Sequence, residues 1–324
     1  MLYSPPTSDD RGIWDLWLTQ TYQGTVVAAD EAGIFTTLEN APAGIPELAT
    51  RLGFDQRATS IVVRLLAALG LLVPREDRFH LTDQARIYLL PSSPFYWGPM
   101  MRVGVSEWHY STALAAMKKK ESASLTRPDG TPLAAGTGRA SDGWAEGKIS
   151  SEDARQIAAR MHAHSLAPAI ACARNYDFTG VRRLLDVGGG SGCFAIAMAR
   201  MYPDLRCTIM ELPTMCDAAH RYIEEGGVAD RVDTMAVDMF RDRWPEGYEA
   251  IFFSNIWHDW NFTTCSWLAK RSYEVLPPGG RILLHEMLLD EDGAGPRAAA
   301  SFSMMMLLAT QGQQFTLDEL KTIL

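Results

Sequence analysis

Residues 184–192 read Leu-Leu-Asp-Val-Gly-Gly-Gly-Ser-Gly, and they are followed by Cys-Phe-Ala-Ile-Ala-Met-Ala-Arg. The apolar start of this stretch predicts a buried β-strand, and its end predicts a helix. Four glycines within five positions separate the two. Glycine is used where the backbone approaches a ligand closely or takes a positive φ angle. A strand, a glycine turn and a helix together are typical of a nucleotide-type cofactor site in an α/β fold.

The spacing of these glycines narrows the class of cofactor. Gly188, Gly190 and Gly192 form a G-x-G-x-G pattern that follows Asp186. A dinucleotide site would show G-x-G-x-x-G, with a helix N-terminus at a pyrophosphate. The pattern resembles motif I of class I S-adenosylmethionine-dependent methyltransferases, whose cofactor has no phosphate. A glycine loop by itself does not exclude the alternative, a tight strand-to-helix turn without a ligand.

The strand–helix rhythm continues after the glycine loop and predicts a doubly wound parallel sheet. The predicted strands are Arg183–Val187, Arg206–Glu211, Val232–Val237, Ala250–Ser254 and Arg281–Glu286. The predicted helices lie near 192–201, 214–226, 262–275 and 297–309, and a long helix precedes the sheet at 151–175. Such sheets bind ligands at the carboxyl ends of their strands. Polar residues occur at or just after four of these ends, namely Asp186, Glu211, Asp238 and His258.

The N-terminal region has a different pattern, which resembles a winged helix. Helices are predicted at 12–22, 25–38, 46–52 and 56–69, followed by a β-hairpin at 71–81. The helix at 56–69 carries Arg57 and Arg64 but is otherwise mainly apolar. That composition favours a buried dimer interface over binding to DNA, which stays open as the alternative. Residues 126–150 are rich in Gly, Pro, Thr and Ser, and they predict a loop.

Composition and charge exclude several classes of protein. The chain of 324 residues is long enough for two domains, and its 47% hydrophobic residues are ordinary for a globular protein. A net charge of −9 argues against broad electrostatic binding to nucleic acid or to an anionic membrane. No apolar run reaches the ~18 residues of a transmembrane helix. The N-terminal residues lack the features of a signal peptide. We therefore expect a cytoplasmic protein.

Cysteine and histidine usage predicts neither disulfides nor a metal site. The five cysteines are scattered and include no C-x-x-C pair, which indicates free thiols in a reducing compartment. The seven histidines show no metal-ligand spacing. We therefore expect no resident metal ion.

Individual residues at the strand ends have the chemistry that a nucleoside cofactor needs. Glu211 can accept two hydrogen bonds from a ribose diol. Asp238 can accept from an adenine amino group, and the sulfur of Met239 can lie against the ring. His258 can accept a proton near neutral pH. The alternatives are a helix-capping acid, ordinary packing of the methionine and a structural histidine.

Together these segments resemble the small-molecule O-methyltransferases of plants and bacteria, which include caffeate-type and hydroxyindole-type enzymes. The resemblance covers residues 180–320, and the winged-helix region is similar to the dimerisation domain of that family. The matching elements are Asp186-Val-Gly-Gly-Gly-Ser-Gly192, Glu211-Leu-Pro213, Val237-Asp-Met-Phe240, His258-Asp-Trp260, Leu276-Pro-Pro-Gly-Gly-Arg281 and Glu286.

The resemblance implies a role for each matching residue. His258 would be the general base, and Glu286 and Gln314 would be the groups that hold its imidazole. The implied cofactor-binding residues are Asp186, Gly188, Gly190, Glu211, Asp238, Met239, Ser254, Trp260, Met161 and Ser165. The predicted substrate pocket consists of Trp108, Trp257, Phe302, Met305 and Met306.

The chain departs from the family pattern in three places. Ser254 stands where the family often has a lysine, four residues before His258. Gln314, in Gly312-Gln-Gln-Phe-Thr316, stands where many members have a second acid. A neutral amide can hold an imidazole but cannot stabilise its cation as a carboxylate does. The chain also ends at Leu324, before the last two strands of the family fold, so we expect a truncated or partly represented chain.

The sequence thus predicts a Rossmann-like, mostly parallel sheet preceded by an all-helical, winged-helix dimerisation domain. The predicted segments are 1–95 for dimerisation, 96–178 for a helical linker and lid, and 179–324 for cofactor binding and catalysis. The expected activity is methyl transfer from S-adenosylmethionine, giving S-adenosylhomocysteine, to a phenolic hydroxyl of a small aromatic or polyketide-like natural product. We expect a homodimer that binds neither nucleic acid nor membrane. Transfer to carbon or nitrogen, or a cofactor-sensing regulator, are the alternatives.

Overall fold

The computed structural model describes residues 4–118, 144 and 149–324, apart from the side chains of Glu107 and Trp108. These residues form two compact units. The sheet unit contains residues 4–9, 144, 149–257 and 262–286, and the helical unit contains residues 10–118, 258–261 and 287–324. After the sheet has begun, two further segments of the chain belong to the helical unit. These are the four residues 258–261 and the C-terminal residues 287–324.

The sheet unit is built on five parallel strands in the order β5-β4-β3-β6-β7. The strands are β3 (Arg183–Val187), β4 (Arg206–Glu211), β5 (Val232–Ala236), β6 (Ala250–Ser254) and β7 (Arg281–His285). The central strands are mainly buried and mainly apolar, as expected when helices cover both faces of a parallel sheet. The strand order reverses between β3 and β6, which is where such folds bind their ligands.

The helices of the sheet unit whose full bounds lie within the described residues are α9 (Ser151–Asn175), α10 (Cys193–Met201), α11 (Pro213–Gly226) and α12 (Phe262–Val275). The start of α9 is capped by Ser150, whose hydroxyl accepts from the Asp153 amide. The end of α11 is set by Gly227 in the left-handed conformation. Both signals are local in the sequence, and they explain why these ends match the predicted ones closely.

The helical unit combines the N-terminal elements with the last two helices. Its core includes the contact between the helices at Gln56–Ala68 and Arg297–Ala309, with buried residues such as Ile61, Leu65, Ala300 and Leu307. Its elements are α1 (Arg11–Leu18), α2 (Gln20–Glu31), α3 (Ile34–Asn40), α4 (Ile45–Leu52), α5 (Gln56–Ala68), β1 (Leu72–Arg75), β2 (Arg78–Leu81), α6 (Asp83–Tyr88), α7 (Gly98–Met101), α8 (Glu107–Met117), α13 (Arg297–Ala309) and α14 (Leu317–Ile323).

The predicted fold class is confirmed, with corrections at some element boundaries. The helices predicted at 12–22 and 25–38 are three helices, because the chain breaks after α1 and again at Gly33, which has a φ of 75°. Strands β5 and β7 end one residue earlier than predicted. The loop predicted at 126–150 falls almost wholly outside the described residues.

Three further expectations concern domains, membranes and metals. The boundaries 1–95, 96–178 and 179–324 stay a prediction, since the two units record compactness and not which segment binds a ligand. Among the described residues, no helix is long and apolar enough to cross a membrane. The same residues contain no cluster of His, Cys, Asp and Glu side chains that could hold a metal ion.

Candidate active site

The glycine loop after β3 has the backbone conformation that its sequence predicts. Gly188, Gly190 and Gly192 have φ angles of 69°, 58° and 75°, which side chains other than glycine rarely adopt. A Cβ atom on Gly192 would also lie 2.4 Å from Cδ1 of Ile209 on β4. The loop is therefore held against the tips of the strands, where the backbone can approach a ligand closely.

Asp186 is the most unusual carboxylate of the sheet unit. Its side chain is almost fully buried at 1% exposure, and neither oxygen forms a hydrogen bond of normal geometry with any residue that the structure describes. Burial, together with the nearby charge of Glu211, raises the pKa of Asp186 to about 7, although the Ala195 amide acts in the opposite direction. A buried carboxylate that lacks hydrogen bonds of normal geometry is costly, so this one fits a ligand that brings donors to it.

Glu211 ends β4 next to the glycine loop, as the sequence predicts. Its Oε1 accepts from the Gly190 amide at 3.2 Å, and its Oε2 accepts from the Leu212 amide at 2.9 Å. Burial raises the pKa of Glu211 to about 7, and these two amide bonds lower it only in part. Each oxygen keeps a lone pair for a further donor, which is the requirement for holding a ribose diol.

Asp238 and Met239 follow β5 at the same edge of the sheet. The Oδ1 atom of Asp238 accepts from the Phe240 amide at 2.9 Å, and its Oδ2 atom pairs with Arg241 at 3.0 Å. The Met239 carbonyl accepts from the indole of Trp244 at 2.8 Å. These contacts fix the turn after β5, and the proposed adenine contacts of both residues stay a prediction.

The remaining predicted cofactor residues of the sheet unit lie on α9 and β6. Met161 is 40% exposed, and Ser165, one helical turn further, is buried with its hydroxyl 2.8 Å from Nδ1 of His164. The Ser254 hydroxyl lies 3.0 Å from Nδ1 of His285. Their cofactor roles stay predictions.

Glu286 holds the backbone of the segment that leads to His258. Its Oε1 accepts from the amides of Ile256 and Trp257, at 3.0 Å and 2.8 Å. The Trp257 ring, predicted for the substrate pocket, is fully buried and packs edge to face on Phe253. Both observations give these residues a structural role in the sheet unit. The predicted contact of Glu286 with the imidazole stays a prediction.

His258 lies in the helical unit, where its imidazole is held by Gln314. The side chain is 3% exposed, and its Nδ1 atom lies 2.9 Å from Nε2 of the fully buried Gln314. The Nε2 atom of His258 lies 3.8 Å from Oδ1 of Asp259. The amide and the imidazole therefore form the pair that the sequence predicts, and a carboxylate that it did not predict lies close to the other ring nitrogen.

An aromatic cluster of the helical unit contacts this histidine through Phe302. The Phe302 ring meets the His258 ring edge to face, with centroids 5.2 Å apart. Trp14 and Trp17 of α1 pack on the same phenyl ring at 5.8 Å and 5.9 Å, and Met305 and Met306 belong to the same apolar cluster. The sequence analysis did not predict these two tryptophans. Trp14, Trp17 and Leu18 nevertheless stand at positions i, i+3 and i+4, a spacing that indicates an apolar helix face.

Two further tryptophans of the helical unit, Trp260 and Trp108, were predicted to belong to the site. Trp260 is buried at 3% exposure, and its amide lies against Gly312, where a Cβ would come within 2.6 Å of it. Its adenine contact stays a prediction. The side chain of Trp108 lies outside the described residues.

Comparisons with known proteins give the family. The family model described as an O-methyltransferase domain matches residues 129–324, and the model described as an O-methyltransferase dimerisation domain matches residues 14–91. The chain therefore belongs to the O-methyltransferase family and is an S-adenosylmethionine-dependent enzyme.

Two curated relatives and one solved structure are similar over most of the chain. A 3-hydroxy-5-methyl-1-naphthoate 3-O-methyltransferase from Streptomyces sahachiroi is 35% identical, covering 93% of this chain and 83% of the relative. An L-tyrosine C(3)-methyltransferase from Streptomyces lavendulae is 27% identical, covering 91% and 81%. The family 2 O-methyltransferase from Planctomyces limnophilus, solved with apigenin, has a TM-score of 0.85 at 27% identity, covering 99% and 91%.

If the two buried acids hold the cofactor, as the sequence predicts, its binding will depend on pH. With pKa values of about 7 in the free protein, Asp186 and Glu211 are largely protonated below that pH. Donors on the cofactor favour the ionised carboxylates, so binding should release protons and weaken as the pH falls below about 7. Calorimetry with S-adenosylhomocysteine in buffers of different ionisation enthalpy should detect proton release at about pH 6 and less at about pH 8. Proton uptake at the lower pH would contradict this assignment.

Proposed function

We propose that this enzyme methylates a phenolic hydroxyl of a small aromatic or polyketide-like natural product, with His258 as the general base. The observation that carries the proposal is the buried imidazole of His258, held at Nδ1 by Gln314 and packed against Phe302. A base must be oriented so that one ring nitrogen can take the proton of the acceptor, and an apolar wall suits a flat aromatic acceptor.

The base role requires a particular tautomer of His258. Its Nε2 atom can accept a proton only when Nδ1 carries the hydrogen, which then needs an acceptor on Gln314. In the structure the amide nitrogen of Gln314 faces the ring. Rotating this amide by half a turn exchanges its nitrogen and oxygen, and its carbonyl oxygen then accepts from Nδ1. Its Oε1 atom is otherwise buried without a hydrogen-bond partner in the described part of the chain. The rotated amide therefore gives this oxygen a donor.

The proton moves from the acceptor hydroxyl to Nε2 of His258 as the acceptor oxygen gains the methyl group. A phenol has a pKa near ~10 and an imidazole near ~6.5, so full proton transfer before methylation is unfavourable. The charge that forms on the imidazole lies 3.8 Å from the carboxylate of Asp259. This carboxylate stabilises the cation, which the neutral Gln314 cannot do.

S-adenosylmethionine supplies an electrophilic methyl group on a sulfonium sulfur. Asp186 would accept hydrogen bonds from the polar groups of this cofactor, and Glu211 would accept from its ribose hydroxyls. The positive φ angles of the glycine loop would let its backbone approach the ligand closely. Holding two reactants at attack distance contributes about 7–11 kcal/mol, whereas general-base help is worth about 10²–10⁴ in rate. Positioning therefore outweighs proton removal in this reaction.

The acceptor surface of the helical unit is aromatic and apolar. Phe302, Trp14 and Trp17 present rings at different angles, and methionines of α13 adapt to irregular shapes. The naphthoate named for the Streptomyces sahachiroi relative and the apigenin bound to the Planctomyces protein are both flat phenolic molecules. We infer an acceptor of the same kind for this chain.

A second candidate is methyl transfer to an aromatic carbon. The relative from Streptomyces lavendulae is named as a C(3)-methyltransferase of tyrosine, so the fold is shared with an enzyme that is not named for oxygen methylation. A ring carbon beside a phenol also needs its hydroxyl deprotonated, and His258 would serve that purpose. The two activities would use the same cofactor-binding residues and give products of the same mass. The products would differ in the atom that carries the new methyl group.

The match to the dimerisation domain supports a homodimer formed through the N-terminal region. A DNA-binding regulator has less support, because Arg57 and Arg64 of α5 are engaged within the helical unit. Arg57 donates to the carbonyls of Gly312 and Thr310, and Arg64 pairs with Glu319. Phosphate contacts by either guanidinium would cost these bonds.

The activity is tested with a panel of phenols and S-adenosylmethionine labelled in its methyl group. We expect label in a product whose new methyl resonance has the chemical shift of a methoxy group, and none from acceptors with a blocked hydroxyl. A label that enters a ring position would instead establish carbon methylation. Absence of transfer to all acceptors, by protein that binds S-adenosylhomocysteine, would count against the acceptor class.

A further inference from the structure

We infer that Arg57 is a positioning residue for His258, acting through the backbone of residues 310–312 and the side chain of Gln314. The inference rests on the proposed base role of His258. All the residues involved belong to the helical unit, so the argument needs no contact outside it.

The guanidinium of Arg57 holds one backbone carbonyl with two nitrogens. Its Nε and Nη2 atoms donate to the Gly312 carbonyl at 3.1 Å and 2.6 Å, and Nη2 also reaches the Thr310 carbonyl at 3.3 Å. The planar fork of arginine fixes direction as well as distance. Charge-assisted bonds of this kind are about twice as strong as neutral ones. The position of Gly312 is therefore set from α5, more than 250 residues away in the chain.

The opposite side of the same segment lies directly on the backbone around His258. A Cβ atom on Gly312 would come within 2.0 Å of the His258 carbonyl oxygen, so only glycine permits this approach. The Gln311 amide donates to the Asp259 carbonyl at 3.1 Å. The segment thus lies between the arginine and the histidine, with contacts to both.

Two residues beyond Gly312, the chain delivers the side chain that holds the imidazole. The backbone N–H of Gln314 donates to the Ser303 hydroxyl at 3.0 Å. The side-chain Nε2 atom of Gln314 lies 2.9 Å from Nδ1 of His258. A shift of the 310–312 backbone moves both ends of this short connection. Because Arg57 fixes that backbone, it also fixes the position of the Gln314 side chain and, through it, the orientation of the His258 ring.

Arg64 provides a matched control on the same helix, seven residues further along. It pairs with Glu319 at 3.0 Å, which belongs to the capping box of α14 and not to the 310–314 segment. Replacing Arg64 removes an equally charged link between α5 and the C-terminal residues. It leaves the contacts of Gly312 and Gln314 in place.

The test compares kcat and the dissociation constant of S-adenosylhomocysteine in Arg57→Met, Arg57→Lys and Arg64→Met. We expect Arg57→Met to lower kcat about tenfold to a hundredfold, because a small misplacement of a reacting group has effects of that size. The dissociation constant should change less than about twofold. Arg57→Lys, which retains one donor for the Gly312 carbonyl, should recover part of kcat, and Arg64→Met should keep the parent kcat.

A double-mutant cycle separates positioning from general loosening. If Arg57 acts through Gln314, its replacement should have little further effect on kcat once Gln314→Ala is present. Full additivity of the two effects would overturn the inference, as would an unchanged kcat in folded Arg57→Met. If Arg57→Met does not fold, the same cycle with Arg57→Lys decides.

The outcome distinguishes this inference from the proposed function. An unchanged kcat in His258→Ala refutes the base role and, with it, the inference. A reduced kcat in His258→Ala together with a parent-like Arg57→Met refutes only the role of the arginine.

Discussion

Replacing His258 with alanine or glutamine should lower kcat at least tenfold. General-base catalysis is typically worth about 10²–10⁴ in rate, and we place the expected loss at the lower end because positioning of the two reactants supplies most of the acceleration. Glutamine fills most of the volume of the imidazole beside Phe302 and Gln314. It therefore separates loss of the base from loss of packing.

The same variants should bind S-adenosylhomocysteine as the parent enzyme does. The acids that we propose hold the cofactor, Asp186 and Glu211, belong to the sheet unit, whereas His258 belongs to the helical unit. His220 is a suitable control, since it is an exposed histidine whose Nε2 lies near the Thr234 hydroxyl. His220→Ala should keep the parent kcat. A parent-like kcat in both His258 variants would remove the base from the mechanism.

The sheet and the glycine loop at its edge could be predicted from the sequence because their signals are local. Buried parallel strands are short apolar runs, and the glycines after β3 have φ angles that other residues rarely adopt. Strand ends at Val187, Glu211 and Ser254 agree with the prediction. Each of these features is specified within a few residues, so no tertiary information is needed to find it.

The surroundings of His258 could be predicted only in part. The pairing with Gln314 followed from a resemblance in motif order, and Gln314 does contact the ring. The contacts of Trp14 and of Arg57 join residues more than 250 positions apart. No periodicity or spacing records such pairs. For the helix that carries Arg57 the sequence favoured a buried dimer interface, with DNA binding as the alternative, and it did not indicate the carbonyl partners of Arg57 at Thr310 and Gly312.

Removing the charge of Asp186 should weaken cofactor binding and, at high pH, stabilise the ligand-free protein. Burial raises the pKa of this acid to about 7, well above its ordinary value. Between about pH 4 and about pH 7 the folded, ligand-free protein therefore binds a proton that the unfolded chain has lost, and its stability falls as the pH rises through that range. Above about pH 7 the full cost of the buried charge is present.

Asp186→Asn removes that charge while keeping the shape of the side chain. We expect the affinity for S-adenosylmethionine to fall about tenfold to a hundredfold, since a hydrogen bond to a charged group is worth about 1.5–3 kcal/mol. At about pH 8 the ligand-free variant should nevertheless unfold at a higher temperature than the parent protein, and this gain should disappear at about pH 4. Calorimetry and thermal unfolding measure the two effects.

Asp233→Asn is the matched control, because Asp233 is an exposed acid on β5 of the same sheet. It should change neither the affinity nor the pH dependence of unfolding. If Asp186→Asn binds the cofactor as tightly as the parent protein, the carboxylate does not hold the ligand. If it loses affinity without gaining stability at the higher pH, the protein itself stabilises the buried charge. The absence of well-formed hydrogen bonds to Asp186 would then no longer support a ligand that supplies them.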